Sequence, residues 1–376
     1  MSRSGATSAG GRQFAEWVWY SPSVGAGLVR TLLRPLSMLF GVGVRRRNAQ
    51  YDAQLKTTGI PPLALPALSI GNLTVGGTGK TPVAAWFAER LFERGGRPAL
   101  LLRGYGEDEW QVHRQLNPLV EVVLNPDRVA GAEEASHRGA DCLVLDDGFQ
   151  HRRARRVADV VLVSADRFTG RPYLLPAGPY REPLTALQRA TAVVVTVKAA
   201  REEQVEATLE AIRQAAPQVG VAVVRLVPGG LNQVAADAPH SKDSPKLPWS
   251  ALAGASVVLV SAIADPSALA AQVQAAGATV VADLRFGDHH DFTVGDVGRI
   301  LERAAQSVMI PGITPTAPLV VCTLKDAVKL SPLWPRAGTA LWYVSQHVAV
   351  ERGADLLDKQ LSQVLAARGA AVPTAG

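Results

Sequence analysis

Residues 69–82 have the sequence Ser-Ile-Gly-Asn-Leu-Thr-Val-Gly-Gly-Thr-Gly-Lys-Thr-Pro. An apolar run precedes the glycines and a helical pattern follows to about Arg94, which is the strand, loop and helix context of a phosphate-binding loop. The glycines Gly76, Gly77 and Gly79 allow backbone N–H groups to surround a phosphate, and the helix N-terminus adds the positive end of its dipole. The stretch therefore predicts a nucleotide site on an α/β sheet.

The side chains that close this loop carry its chemistry. Lys80 is expected to bridge the β- and γ-phosphates, and Thr81 to ligate Mg²⁺ through its hydroxyl. Thr74 stands where the usual motif has its first glycine. The predicted nucleotide-binding residues are Thr74, Val75, Gly76, Gly77, Thr78, Gly79, Lys80 and Thr81.

A second motif, residues 142–151, is an apolar strand that ends in two carboxylates. We predict that Asp146 and Asp147 hold Mg²⁺, directly or through water, as the second half of a P-loop site. Adjacent strand residues point to opposite faces, so the two acids cannot act alike unless the chain turns at Gly148. Gln150 lies within reach of the same edge.

Short β-rich runs alternate with helical patterns along the chain, which predicts a mostly parallel sheet covered by helices. The first series of strands is Ala67–Ile70, Ala99–Leu102, Val120–Leu124, Cys142–Leu145, Val160–Val163 and Val193–Val197. The second is Val221–Leu226, Val257–Val260, Thr279–Ala282, Leu319–Cys322 and Leu341–Val344. We therefore expect a helical region over residues 1–50, a P-loop domain over 51–219 and a second α/β domain over 220–376, with 235–248 as a long exposed loop.

The composition fits this division. A chain of 376 residues, 47% hydrophobic, is long enough for two compact domains with real cores. Its two cysteines, Cys142 and Cys322, both lie in apolar runs, which indicates neither a disulfide framework nor a metal cluster and favours a reducing cytoplasm. The net charge is +6, and part of it is a cluster close to the N-terminus that suits an anionic surface.

The N-terminal region has two-faced helical spacing. From Val29 the apolar residues Leu32, Leu33, Leu36 and Phe40 recur on one side, which predicts an amphipathic helix. Its other side carries Arg30, Arg34 and Ser37, and Pro35 is expected to kink it. Because the two arginines interrupt the apolar segment, we favour a helix lying in a membrane interface over a span. The alternative is an ordinary surface helix packed on its own domain.

Several motifs in order resemble one known family, the tetraacyldisaccharide 4′-kinases of lipid A biosynthesis. Besides the two motifs above they are Arg103–Gly106, Pro126–Val129, Leu175–Pro179 with Arg181–Pro183, and Asp288–Asp291. The resemblance implies two α/β/α domains with a cleft between them, ATP and Mg²⁺ as cofactors, and transfer of the γ-phosphate to the 4′-hydroxyl of a tetraacylated glucosamine disaccharide 1-phosphate. It also implies that the N-terminal helix meets the cytoplasmic face of the bacterial inner membrane.

The resemblance also implies site residues beyond the two motifs. The family's catalytic acid maps onto Asp108, or onto Glu107 if the register slips, and its histidine partner maps onto His289, which follows Asp288. Such a pair would take the proton from the acceptor hydroxyl. Two further motif residues, Arg181 and Glu182, are candidates to contact phosphate and metal, with a surface ion pair as the alternative.

Two rival functions retain the P-loop. One is a kinase or ligase-type ATPase with a soluble substrate, which leaves the amphipathic helix unexplained. The other is a membrane-associated NTPase switch that regulates a partner and makes no phosphorylated lipid. Nucleic-acid binding is disfavoured because the basic residues lie beside an apolar helix without a recognition motif, and the sequence gives no evidence of an obligate protein partner.

Overall fold

The structure, a computed structural model, describes residues 4–57, 63–104, 109–234, 244–263, 266–288, 290–307 and 317–369. The chain forms two compact units. Unit 1 comprises Met1–Tyr105, Leu116–Arg225 and Val348–Gly376, and unit 2 comprises Gly106–Gln115 and Leu226–His347.

Helices and strands alternate through most of both units. The helices are α1 (Ser4–Tyr20), α2 (Val24–Thr57), α3 (Lys80–Glu93), α4 (Glu109–Leu116), α5 (Arg128–His137), α6 (Glu202–Ala215), α7 (Pro266–Ala275), α8 (Val294–Ser307), α9 (Leu324–Leu330) and α10 (Ala354–Ala366). The strands are β1 (Ala67–Asn72), β2 (Pro98–Leu102), β3 (Glu121–Leu124), β4 (Cys142–Asp146), β5 (Ala158–Ser164), β6 (Ala192–Val197), β7 (Val221–Gln233), β8 (Lys246–Leu247), β9 (Ser256–Ser261), β10 (Thr279–Arg285), β11 (Leu319–Thr323) and β12 (Leu341–Arg352).

The strands of unit 1 lie in the order β7-β6-β5-β1-β4-β2-β3, and each neighbouring pair in this series is parallel. Strand β1 therefore lies between β5 and β4, where the strand order changes direction. In open α/β sheets ligands bind beyond the carboxyl ends of the strands at such a switch point. The segments that follow β1 and β4 are those singled out in the sequence, and Ile70 of β1 pairs with Asp146 of β4.

Unit 2 contains a second parallel series, in which β9 pairs with β10 and β11, and β11 with β12. The short strand β8 pairs antiparallel with the end of β7. Buried aliphatic residues fill both faces of this sheet, as continuous apolar strands require. The chain passes from unit 1 to unit 2 within β7 and returns within β12.

The predicted α/β class and all eleven predicted strands are confirmed, and both cysteines are free and buried. The units differ from the predicted division: the N-terminal helices belong to unit 1, and the boundary within β7 falls after Arg225. Two further segments also group differently. Residues 106–115 group with unit 2, and residues 348–376 group with unit 1. The second difference has a packing cause, because α10 buries Leu357, Leu361 and Val364 and contacts α3 and three strands of unit 1. Most of the predicted loop 235–248 lies outside the described residues.

The side of helix α2 that faces the protein consists of Ala26, Arg30, Ser37, Gly41 and Val44. Arg30 and Ser37 are buried, and Ser37 Oγ donates to Leu174 O at 2.8 Å while it accepts from Ala177 N at 3.0 Å. Leu32 and Leu36 are 78% and 53% exposed, so the helix does not pack its apolar face on its own domain. The other large apolar residues that it exposes are Val24, Leu28, Met38, Leu39, Phe40, Val42 and Leu55.

The length of α2 exceeds the apolar segment expected from the sequence. It is one helix of 34 residues that contains Pro35, and by length and composition it is long and apolar enough to cross a membrane, with a mean hydropathy of 1.3 in its most apolar window. Only 17% of that window is buried. An exposed apolar helix of this kind suggests membrane association.

Candidate active site

The loop between β1 and α3 has a backbone conformation suited to an anion. Gly76, Gly77 and Gly79 have φ values of 77°, 54° and 76°, in the left-handed region that glycine adopts without strain. Helix α3 begins at Lys80, and no side chain in the described part of the protein caps its N-terminal N–H groups. These N–H groups and the helix dipole are the two features that attract phosphate to a helix N-terminus.

Neighbouring strands hold the loop in place. Thr196, on β6, donates from Oγ1 to Thr78 O at 2.9 Å, and Lys198 Nζ lies 3.4 Å from Gly77 O. On the other side Val75 N donates to Pro179 O at 2.9 Å. Sequence patterns did not indicate that Thr196 and Lys198 support the loop, because they lie about 120 residues downstream of it.

Lys80, Arg181 and Asp147 converge at this edge of the sheet. Lys80 Nζ lies 3.6 Å from Asp147 Oδ1, and Arg181 Nη2 lies 3.2 Å from the same oxygen. Both cations also donate to Asn72 Oδ1, and Gln150 Nε2 donates to Asn72 O at 2.7 Å. The structure therefore brings together four predicted site residues around Asn72, a motif residue for which no role was predicted.

The chain turns at Asp147 rather than at Gly148. Asp146 is the last residue of β4, and Asp147 has a φ of 54°, the one positive value among the non-glycine residues described. Such a conformation costs on the order of 1 kcal/mol or more and is concentrated at functional sites. The turn directs the Asp147 carboxylate toward Lys80 and Arg181, so the two acids differ in position.

Electrostatics keep Asp147 ionised. Burial raises the pKa of its carboxyl, but the positive charges of Lys80 and Arg181 outweigh burial and lower that pKa to about 2. The carboxylate is therefore charged throughout the neutral range and available to a metal ion. Gly71 of β1 permits the segment after Asp147 to pack closely on that strand, since a Cβ at Gly71 would collide with Phe149.

A buried arginine supports the other acid. Arg128 is 1% exposed, and its Nη2 donates to Asp146 O at 2.9 Å. Burial and the like charge of Arg103 lower the pKa of Arg128 to about 10, so it stays positive at neutral pH. The N-cap of α5 sets its position, because Asp127 Oδ1 accepts from Val129 N at 2.9 Å. Asp127 and Arg128 of the motif at 126–129 thus act together, one as the cap of α5 and the other as the donor to the end of β4.

Glu182 lies in a different environment from the other predicted metal ligands. It is completely buried, and its Oε2 accepts from Asn48 Nδ2 of α2 at 2.8 Å. Arg189 Nη2 lies 3.0 Å from the same oxygen. These partners favour a role in fixing α2 to the segment that carries Arg181, and a metal role for Glu182 stays a prediction.

The donor set fits Mg²⁺ bound together with a nucleotide. Thr81 lies in the first turn of α3, and the carboxylates of Asp146 and Asp147 follow the adjacent strand β4. Within the described ranges no cluster of three or more His, Cys, Asp or Glu side chains forms a metal cage. Mg²⁺ commonly uses one or two carboxylates plus substrate phosphates and water, so it needs no such cage.

The remaining predicted residues belong to unit 2 or to undescribed positions. Asp288 is half-buried, and nearby His290 Nε2 lies 3.1 Å from Asp296 Oδ2. Burial raises the pKa of Asp296, but hydrogen bonds from Thr293 and His290 outweigh burial and hold that pKa well below its usual range. Asp108, the alternative Glu107, and His289 lie outside the described residues.

Comparisons with known families agree with this geometry. The family model described as LpxK, tetraacyldisaccharide-1-P 4′-kinase, matches residues 29–118 and 106–366. A tetraacyldisaccharide 4′-kinase of Anaeromyxobacter dehalogenans (strain 2CP-C) is 37% identical over 355 residues, which cover 86% of this chain and 87% of that protein. Another of Geobacter metallireducens is 34% identical over 336 residues, covering 83% and 91% of the two chains.

A solved structure has the same fold. The LpxK of Aquifex aeolicus, described as an "apo" form in complex with ATP, superposes with a TM-score of 0.64 at 25% sequence identity. The match covers 89% of this chain and 99% of that one.

Proposed function

Because the chain belongs to the tetraacyldisaccharide-1-P 4′-kinase family, we propose that it transfers the γ-phosphate of ATP to the 4′-hydroxyl of a tetraacylated glucosamine disaccharide 1-phosphate in lipid A biosynthesis. The observation that carries this proposal is the convergence of Lys80, Arg181 and Asp147 at the N-terminus of α3. Phosphoryl transfer depends mainly on alignment and charge neutralisation, and this cluster supplies both.

The loop residues bind the nucleotide. Backbone N–H groups of the glycine-rich loop and of the first turn of α3 surround the phosphates, and Lys80 compensates the negative charge on the β- and γ-phosphates. Arg181 lies close enough to share this charge, since it contacts the same acceptors as Lys80. Both cations are held by neighbours before any phosphate arrives, so little reorganisation is needed during the reaction.

Thr81, Asp146 and Asp147 are the residues that would hold Mg²⁺, and the ion supplies charge compensation for the transferred phosphoryl group. The low pKa of Asp147 keeps this ligand ionised. On the acceptor side we assign Asp108 as the acid that takes the hydroxyl proton and His289, which follows Asp288, as its partner, while Gln150 contributes at the edge that carries Asp146 and Asp147. These assignments rest on the family motifs.

We place the enzyme at the membrane, where its lipid substrate lies. The exposed apolar side of α2 and the exposed arginines at 45–47 next to it are suited to acyl chains and anionic headgroups respectively. The proposed location is the cytoplasmic face of the bacterial inner membrane, because that side provides ATP.

The reaction itself is the decisive test. The full chain, purified in detergent, is incubated with γ-labelled ATP, Mg²⁺ and tetraacyldisaccharide 1-phosphate, and the lipid fraction is separated by thin-layer chromatography. We expect label in the lipid and a loss of at least about 100-fold in Lys80→Ala, since a charge-compensating donor is removed. Lys359→Ala, an exposed lysine on α10, serves as the control and should retain activity.

Other results of this assay distinguish the rival functions. ATP hydrolysis that a protein partner stimulates, without labelled lipid, would indicate an NTPase switch. Label transfer to a soluble acceptor alone would indicate a different kinase. Labelled lipid at the same rate in Lys80→Ala and the unmodified protein would reject the assignment of the loop.

Two variants, one on α2 and one elsewhere on the surface, test whether α2 binds the membrane. Leu32 on α2 is 78% exposed and Leu119, outside the two N-terminal helices, is 76% exposed. We expect Leu32→Glu to reduce sedimentation with vesicles that contain anionic lipid, and Leu119→Glu to leave it unchanged, because only the first charge would have to enter the bilayer. Equal sedimentation of the two variants would contradict the role of α2.

A further inference from the structure

Asn72, the last residue of β1, lies at the centre of the phosphate site. It is completely buried, and its side chain contacts three other site residues. Oδ1 accepts from Lys80 Nζ at 3.3 Å and from Arg181 Nη2, while Nδ2 donates to Thr78 Oγ1 at 2.9 Å. Its backbone carbonyl accepts from Arg181 Nη2 at 3.2 Å.

The orientation of this amide follows from its partners. Lysine and arginine are donors only, so the amide oxygen must face Lys80 and Arg181. The Thr78 hydroxyl can accept, so the NH₂ group faces the loop. The orientation of the Asn72 amide therefore follows from its hydrogen-bond partners. Its oxygen faces two donors and its NH₂ group faces an acceptor.

From this arrangement we infer that Asn72 is a positioning residue for phosphoryl transfer, which holds the Lys80 and Arg181 side chains at the loop without neutralising them. The inference rests on the proposed function. A neutral amide oxygen orients both cations without adding a second negative charge to that of Asp147, which already lies beside them. A carboxylate in the same place would form ion pairs with both cations, and they would then be less available to the nucleotide.

A second buried asparagine in unit 1 shows what a purely structural role looks like. Asn117 is 7% exposed, and its Nδ2 donates to Ala85 O of α3 at 2.7 Å. Asn72 thus acts at the phosphate loop itself, whereas Asn117 anchors the body of α3 at Ala85. Lys80 and Arg181 are not among the recorded hydrogen-bond partners of Asn117, which makes it a matched control.

The experiment compares Asn72→Ala, Asn72→Asp and Asn117→Ala in the full chain. Thermal unfolding measures the structural contribution of each asparagine, and steady-state kinetics with ATP and the lipid acceptor measures kcat and KM. We expect kcat in Asn72→Ala to fall about 10- to 100-fold, the size of effect that small misplacements of reacting groups produce. In Asn117→Ala we expect kcat to stay within about twofold although the melting temperature falls.

A double-mutant cycle tests whether Asn72 acts through Arg181. If it does, Asn72→Ala should lower kcat much less in an Arg181→Ala background than in the unmodified protein, because the group it positions is already absent. Full additivity of the two losses, or an equal loss of kcat in Asn72→Ala and Asn117→Ala, would overturn the inference.

Nucleotide binding provides a readout that does not need the lipid. Titration of a fluorescent ATP analogue with Mg²⁺ should show affinity about tenfold or more weaker in Asn72→Asp, from the loss of roughly one charge-assisted contact, and unchanged in Asn117→Ala. Unchanged affinity in Asn72→Asp would overturn the inference even if the unmodified chain phosphorylates no lipid. The ATP-binding measurement on Asn72→Asp also tests the role of Asn72 if Asn72→Ala does not fold.

Discussion

Two strand-to-helix junctions, one in each unit, show why only one of them is suited to phosphate. In unit 2, β11 ends at Thr323 and α9 begins at the next residue, and the Thr323 hydroxyl accepts from Asp326 N at 3.2 Å. In unit 1, seven residues separate β1 from α3, and the N-cap is Gly79 without a side-chain cap. The unit 2 helix has a side-chain acceptor for one of its first N–H groups, whereas α3 leaves its first N–H groups to a ligand.

The carboxylates near the two junctions differ in the direction of their pKa shifts. Burial raises the pKa of Asp326 to about 6, because the hydrogen bonds from Thr323 and Ala262 N only partly offset it. Lys80 and Arg181 lower the pKa of Asp147 to about 2. Thus unit 2 contains a buried acid that stabilises its own loop, while unit 1 contains an ionised acid beside two cations.

The comparison predicts that a capping carboxylate placed at the α3 junction would abolish phosphate binding. Gly79→Asp would supply an acceptor for the N–H groups of α3 and a negative charge where the phosphate binds. Each charge-assisted bond lost is worth about 1.5–3 kcal/mol, so we expect ATP affinity to fall on the order of 100-fold or more. Calorimetric titration with Mg-ATP measures the change.

Gly79→Ala is the control for that variant. It adds the same Cβ at a left-handed position, at a cost of about 1–2 kcal/mol in stability, but introduces no charge. We expect its loss of ATP affinity to be much smaller than that of Gly79→Asp. Equal losses of ATP affinity in the two variants would mean that backbone strain at residue 79, and not a carboxylate at the helix N-terminus, prevents phosphate binding.

Removing the charge of Asp147 should have the next largest effect. In Asp147→Asn we expect turnover to fall about 10- to 100-fold and the Mg²⁺ concentration for half-maximal rate to rise, since a carboxylate ligand is lost. The measurement is rate against Mg²⁺ concentration at saturating ATP. A Mg²⁺ dependence identical to that of the unmodified protein would exclude Asp147 as a ligand.

Acid unfolding provides a second readout for Asp147. A depressed pKa contributes stability that is present above the usual value of 3.8 and is lost as pH falls through about 2. The unmodified protein should therefore lose this contribution between about pH 4 and 2, and Asp147→Asn should lack it. The effect should be modest, because the Asp147 side chain is 33% exposed and solvent screens its ion pairs.

Much of this site was predictable, because local patterns define it. Apolar runs in the sequence predicted the strands β1 and β4. Because the carboxyl ends of neighbouring parallel strands meet at one edge of a sheet, the loop ending in Lys80 and the acids at 146–147 were expected to lie together. The turn at Asp147 was not predictable, since the Gly148 that follows was the residue expected to adopt an unusual conformation. The contacts of Asn72 were not predictable either, because its partner Arg181 lies 109 residues further along the chain.

Helix α2 shows a different limit of sequence reasoning. Periodicity identified its two faces, but not which one would face the protein. In a surface helix the apolar face normally packs inward, and here Arg30 and Ser37 do so instead. The reason is local, since Arg30 Nη1 donates to Val18 O and Ser21 O, at 2.7 and 2.9 Å, and closes the turn between α1 and α2.

The smallest expected effect on turnover concerns Asp326 in unit 2, because its titration changes stability. Its pKa is about 6 instead of 3.8, so between these values the folded state binds more protons than the unfolded state. Stability should therefore be greatest below about pH 4 and fall by up to about 3 kcal/mol as pH rises through 6. Asp326→Asn keeps an oxygen for Ala262 N and has no charge to desolvate, although it gives up the attraction of Lys325. Denaturant unfolding from pH 4 to 7 measures the free energy of unfolding, which should depend less on pH in the variant. An equal pH dependence in the two proteins would mean that Asp326 has the same pKa in the folded and unfolded states. Burial would then not distinguish this junction from the one at α3.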